Sequence, residues 1–234
     1  MTRCHLLDRA GRTREALVAC DRALQATVAV GSSQQGRALY LVTQSRLRLQ
    51  CDDAAGAAAS AAQAIALLEG CADLETDRTL RADLGRAFAS RARAHEASHD
   101  PTSAVADYGR ALGHLDATAA SSQEGADSDG SAEAARIANT LAWILATSRR
   151  PEVRDGPRAV ALAQRACEHT SFQCWQYLDT LAAALARNGD FARACEIQQQ
   201  AISLAPENEQ ASMAERLATY GACSPFADNA GPDA

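Results

Sequence analysis

An alanine recurs along the chain with a second alanine seven residues later and, in most copies, an aliphatic residue just after it. The pairs are Ala16 and Ala23 followed by Leu24, Ala57 and Ala64 by Ile65, Ala104 and Ala111 by Leu112, Ala159 and Ala166 by Cys167, and Ala194 and Ala201 by Ile202. Residues seven apart share one face of a helix, and a face of small side chains lets a second helix pack close against it. Each copy is preceded by another helix-length segment across a turn. The last copy shows this most fully. Leu178, Leu181, Ala182 and Leu185 lie on one helical face. Arg187-Asn188-Gly189-Asp190 then breaks the helix, with Gly189 suited to a left-handed C-terminal position. Phe191, Ala194, Gln198, Ala201 and Ile202 form a second face, and Pro206 ends the unit. The pattern predicts five helical hairpins, the last of them about 34 residues long.

The copies differ in ways that predict the organisation. In the first, the turn at Gly11 leaves ten residues for the opening helix, where about fourteen are usual. In the second, Gln44, Ser45 and Arg48 fill positions expected to be apolar or small. In the fourth, Ser148 to Gly156 enlarges the turn. Residues 116–130 are small, polar and acidic, which predicts a flexible linker. It would divide an N-terminal block, 1–115, with three repeats of which the first is truncated, from a C-terminal block, 131–226, with two repeats and a capping helix. That helix, Glu209 to Tyr220, has Met213, Leu217 and Tyr220 on one side and would cover the last hairpin. The chain is expected to fray from Ser224, with 227–234 a disordered tail.

Composition supports helices. Hydrophobic residues make up 47% but aromatics only 4%, so much of the apolar content is alanine, the strongest helix former. No stretch alternates as a strand would, and the expected fold class is all-α. All 23 basic residues are Arg, whose planar fork suits carboxylates. A net charge of -6 argues against nucleic-acid binding, which needs a basic footprint. No apolar run approaches the length of a membrane span, and the charged opening residues lack a signal-peptide core, so a cytoplasmic location is expected. The eight cysteines form no CxxC pair. Cys4, Cys20, Cys167 and Cys195 fall at helical packing or flanking positions, where a free Cys acts as a small hydrophobe. Cys51, Cys71, Cys174 and Cys223 lie near turns or linkers, where packing does not account for them.

The stretch from Tyr177 to Asn208 resembles a tetratricopeptide repeat. Leu178 stands where that family usually has Trp, Leu181 and Ala182 match its Leu-Gly pair, and Leu185 matches its first Tyr. Gly189, Phe191, Ala194, Ala201 and Pro206 match the remainder, while Gln198 replaces a usual aromatic. The repeat at 85–118 is similar in Phe88, Ala92, Ala104, Tyr108 and Ala111, and departs at Arg91, where Leu is expected. Residues 137–226 as a whole resemble the C-terminal end of bacterial, planctomycete-type tetratricopeptide proteins, some of them fused to serine/threonine kinases. The resemblance implies a solenoid of helical hairpins wound into a right-handed superhelix, with a C-terminal capping helix. It also implies a non-catalytic scaffold for protein–protein interaction that binds a peptide or protein tail in a concave groove. An alternative reading is the detached C-terminal array of a larger signalling enzyme such as a kinase.

In that family the first helices of successive hairpins line the groove. By register, the groove-facing residues here are Arg46, Arg86, Arg93, Arg136, Asn139, Trp143, Asp179 and Arg187, together with Ser90 and Gln176. Arg groups, an amide and a Trp suit an extended, acidic peptide or protein tail. A different class of chemistry is offered by His95-Glu96-Ala97-Ser98-His99, which matches H-E-x-x-H. On a helix, that motif sets two zinc ligands on one face beside a general base. Repeat register competes with this reading, since it puts His95 at a buried aromatic position and His99 at the turn. A zinc hydrolase is therefore the remote alternative. No metal, cofactor or catalytic residue is assigned, and no phosphate-binding Gly-rich loop or catalytic triad can be read.

Overall fold

A computed structural model of the protein describes residues 3–29, 31, 33–119 and 128–227. Among them lie eleven α-helices and no strand. Internal packing divides the chain into two units, Met1–Ala126 and Asp127–Ala234. The first holds α1 (Arg3–Arg9), α2 (Thr13–Ala29), α3 (Gln34–Leu49), α4 (Ala54–Glu69), α5 (Arg78–Ala97) and α6 (Pro101–Ala119). The second holds α7 (Ser128–Thr147), a 3-10 turn at Pro151–Val153, α8 (Gly156–His169), α9 (Trp175–Arg187), α10 (Phe191–Leu204) and α11 (Glu207–Gly221). Within each unit consecutive helices pair as hairpins, and first helices also touch, α3 against α5 and α7 against α9. None of the helices is long and apolar enough to cross a membrane.

The alanine pattern marks the helix contacts. Ala16, Ala57, Ala104, Ala159 and Ala194 are each 0% exposed, and so are Ala64, Ala111, Ala166 and Ala201. Ala23 is only half-buried. The tightest approach is at Gly85 on α5, where a Cβ would come within 3.1 Å of the Ala111 carbonyl oxygen and Leu115 Cγ. A larger residue there requires α6 to give by a few tenths of an ångström.

One turn chemistry closes the hairpins. Gly11, Asp52, His99 and Gly189 all have left-handed φ, between 55° and 88°. At each, the next residue's N–H bonds back to the carbonyl five positions earlier, as Asp190 does to Leu185 at 2.9 Å. This satisfies carbonyls that a helix end would leave unpaired. Asp53, Asp100 and Asp190 then cap the second helices by accepting from Gly56, Ser103 and Arg193 N–H groups. In the enlarged fourth turn, Asp155 caps α8 in the same way. There the Arg154 guanidinium donates to the carbonyls of Ser148 at 2.7 Å and Arg149 at 2.8 Å, folding the extra residues over the buried Val153.

The residues that weaken the second copy are hydrogen-bonded rather than misplaced. Buried Gln44 donates to Asp21 at 2.6 Å and accepts from Ser60 at 2.7 Å. Buried Ser45 accepts from Ser90 on α5 at 3.0 Å. Arg48 reaches the Gly56 carbonyl at 2.8 Å. A polar pair at facing positions substitutes for an apolar one.

Two boundaries need correction. Asp116–Ala119 completes α6 and Ser128–Gly130 opens α7, so both edges of the expected linker 116–130 are helical. Alanine and helix continuity outweigh the polar composition there. The centre, 120–127, lies outside the described residues, as does 228–234 of the expected tail. Ser224–Ala227 does not simply trail away from α11: Phe226 is half-buried.

Because Ala194 is fully enclosed, Ala194→Leu forces extra methylenes into a close-packed contact. The expected loss is about 1–3 kcal/mol, measured by urea unfolding. A midpoint equal to that of the wild type would show that α10 does not pack through this residue.

Candidate peptide-binding groove

In the second unit, α7 and α9 form an open groove lined by Asn139, Thr140, Trp143, Trp175, Gln176, Asp179 and Thr180. Asn139, Trp143 and Asp179 are three of the residues that repeat register points to, and the structure brings them together. Trp175, at the first position of α9, was not among them. Its only signal in the sequence is an aromatic residue beside a turn. Asn139 Oδ1 is buried and has no hydrogen-bond partner, an unfavourable arrangement for an acceptor beneath the groove surface.

Asp179 forms the floor. It is 7% exposed, and its oxygens accept from Arg216 Nε at 2.9 Å, Arg216 Nη2 at 3.0 Å and Gln198 Nε2 at 2.7 Å. Gln198 stands where the repeat usually has an aromatic, and Asp179 gives its amide a partner inside the hairpin. The paired fork fixes Arg216 from α11 with its guanidinium 5.9 Å from the Trp143 ring centre. Asp179 is thus already fully engaged, and its part in the groove is to aim Arg216.

The far side of Trp143 meets the end of the chain. Cys223, with φ of 54°, closes α11 by the same left-handed turn as the hairpins, Ser224 N–H donating to the Thr219 carbonyl at 3.1 Å. The chain then returns, and the Phe226 ring lies 6.0 Å from that of Trp143 at 44°. Arg216 lies over this ring too, at 5.7 Å. Arg187, at the end of α9, donates to the carbonyls of Ala146 and of Phe226, the latter at 3.0 Å. Burial, followed by the nearby Arg154 charge, lowers the Arg187 pKa from its ordinary value. Neither Arg216 nor Phe226 stands out in the sequence, because the capping helix and the segment after it lie outside the repeat pattern.

These helices superpose on known ones. No protein-family model matches the chain, and no curated protein matches it in sequence. Among solved structures it is similar to an assembly chaperone of RpL4, Acl4, with a TM-score of 0.60 and 14% identity, covering 93% of this chain and 82% of that one. It is also similar to the MamA protein, with a TM-score of 0.52 and 11% identity, covering 89% of this chain and 90% of that one. Both are tetratricopeptide-type helical solenoids. The fold is that of tetratricopeptide repeats. At these identities the likeness speaks of the fold alone.

The other register-derived residues of the tetratricopeptide groove are held by their own chain. In the first unit, Arg46 pairs with Asp8 at 2.6 Å, Arg86 with Asp83 at 3.1 Å, and Arg93 Nε donates to the Ala89 carbonyl at 3.3 Å. Ser90 is buried against Ser45. In the second unit Arg136 is exposed and lies 3.5 Å from Glu133, and Gln176 is exposed at the groove rim.

The H-E-x-x-H segment follows the tetratricopeptide register. α5 ends at Ala97, and His99 is the left-handed residue of the hairpin turn, so the helical spacing that would put both histidines on one face is broken. His95 Nε2 lies 3.5 Å from Asp107. The carboxylate of Glu96 accepts from the Tyr108 hydroxyl, and burial raises its pKa. Among the described residues no group of three or more His, Cys, Asp or Glu is placed to hold a metal. Arg91, where Leu is expected, pairs with the buried Asp107 through two bonds of 2.7 and 2.8 Å and lies over the Phe88 ring at 5.4 Å. Cys4, Cys20 and Cys167 are buried; burial pushes the Cys20 and Cys167 thiols up to about 12.

Removing Asp179 would strand Arg216, whose side chain is 15% exposed, together with the Gln198 amide. Asp179→Ala should therefore cost about 3–5 kcal/mol, the usual price of breaking a buried pair. Arg136→Ala, at an exposed pair, should change stability by less than about 0.5 kcal/mol. Paired urea titrations measure both. Equal, small effects would mean that the Asp179–Arg216 lock does not form.

Proposed function

We propose that the protein is a non-catalytic interaction scaffold and that its second unit binds an extended peptide or protein segment along the α7–α9 groove. The observation that carries this reading is the open groove between α7 and α9, which has both Trp143 and Trp175 in its lining. Rigid aromatic residues in such a groove are typical anchors of binding energy. Exposed Arg136 adds a contact for an acidic residue beside the anchor, with the salt sensitivity of a screened surface charge. One structural neighbour is by name an assembly chaperone of RpL4, and a protein client is the class of ligand proposed here.

The three Arg residues of the first unit contribute less to this reading, because each bonds more closely to its own chain, at 2.6, 3.1 and 3.3 Å, than Arg136 does to Glu133 at 3.5 Å.

Random peptides displayed on phage, selected against the full chain and resynthesised, provide the test. Trp175→Ala should weaken the selected peptides by at least about tenfold, the loss expected of an aromatic anchor. Arg158→Ala, on the outward side of α8, should leave them unchanged. Peptides that lose binding to Arg93→Ala and keep it to Trp175→Ala would place the site on the first unit and contradict the proposal.

A further inference from the structure

Trp143 differs from the other residues that line the groove in one respect: it also carries a segment of its own chain. Three separate contacts seat Phe226 there. Its ring lies on Trp143, the Arg216 guanidinium covers both rings, and Arg187 holds its main-chain carbonyl. The ring contact selects for an aromatic side chain, since the cation and the indole favour a π face. The Arg187 contact reads only an extended backbone, which any peptide presents. The receptor side is fixed beforehand, because Asp179 and Gln198 hold Arg216 in place, so little ordering is left for a ligand to bring about.

From this geometry we infer that the Trp143 end of the groove is a subsite for an aromatic residue of an extended peptide, that Ser224–Ala227 is its resident occupant, and that ligands bind by displacing that segment. The inference rests on the groove reading above and adds the residue class recognised and the mode of control. Two features make the occupant exchangeable. Its anchor is one half-buried ring and one backbone hydrogen bond, set beyond a non-glycine residue in left-handed conformation. The segment also leaves the rest of the groove unused: Asn139, Trp175 and Gln176 line an open surface to which Phe226 does not contribute. A longer peptide with an aromatic residue at the Trp143 position would reproduce the resident contacts and add those at Asn139 and Trp175. A tethered competitor acts at an effective concentration on the order of millimolar. It therefore lowers apparent affinity by the fraction of time the site is covered, and short aromatic peptides are excluded while longer ones enter.

The probe is a fluorescein-labelled peptide with the sequence of residues 222–230, followed by fluorescence anisotropy against the full-length chain. The Phe226→Ala chain should bind it at least tenfold more tightly than the wild type does. Binding should be lost when the peptide's own Phe is replaced by Ala, and lost again when Trp143→Ala is added to the Phe226→Ala chain. Equal affinity for wild type and Phe226→Ala overturns the inference, as does binding indifferent to the peptide's Phe. Thermal melts of both chains guard against a structural effect: a melt of Phe226→Ala more than about 10 °C below wild type makes the segment part of the cap and likewise overturns it. Concentration-dependent dimerisation of wild type that Phe226→Ala abolishes would make the occupant a second copy's segment and reject self-occupancy. None of these outcomes touches the phage-selected peptides, whose dependence on Trp175 tests the groove reading separately.

Discussion

The close approach of helix to helix at alanine and glycine is the constraint from which the rest follows. At Gly85 a Cβ would come within 3.1 Å of the neighbouring helix, and enclosed alanines mark the contacts of each hairpin. Small side chains line these contacts, and of the few aromatic residues, 4% of the chain, Phe88, Tyr108 and Tyr220 are buried in the core. A thin core also buries less apolar surface per hairpin, so each hairpin depends on its neighbours for burial, as in repeat proteins generally. The turn chemistry serves the same end. A left-handed residue followed by a helix-capping Asp reverses the chain within the short distance that close-packed helices allow.

Thin packing leaves positions that are buried yet filled by polar side chains, and these recur as linked pairs. Asp21 with Gln44 joins two successive hairpins, Asp107 with Arg91 the two helices of one hairpin, and Asp179 with Gln198 and Arg216 the last hairpin and its cap. Such a lock adds little net stability over an apolar pair, but removing one partner is costly. In the second unit the same device holds Arg216 over the Trp143 ring, the arrangement on which the proposed subsite depends.

Much of the hairpin architecture was legible in the sequence because it depends on local spacing. Seven-residue alanine pairs, Gly189 and Pro206 each report a constraint that acts within one hairpin. The polar substitutions were misleading for a related reason. Gln44 and Arg91 each break the pattern alone, and their partners, Asp21 and Asp107, are separated from them by a turn. The groove was legible only in part. Trp143, Asn139 and Asp179 follow from register, whereas Trp175 lies at a helix start, Arg216 in the cap, and Phe226 beyond it. None of these three belongs to the repeat, and their placement depends on how α11 and the chain after it fold back. A sequence pattern likewise does not reveal that Asp8 and Asp83 already hold two of the Arg residues of the first unit.

The two tryptophans give the most direct reading of the central claim, that the α7–α9 face is where the protein meets its ligand. The chain has only two, so its indole N–H signals in a proton–nitrogen correlation spectrum are two resonances, assigned by Trp143→Phe and Trp175→Phe. Titration with a phage-selected peptide should shift both, the Trp143 signal moving as Phe226 leaves its ring and the Trp175 signal as the open groove fills. A peptide that binds tightly while both indole signals stay in place would contradict the account.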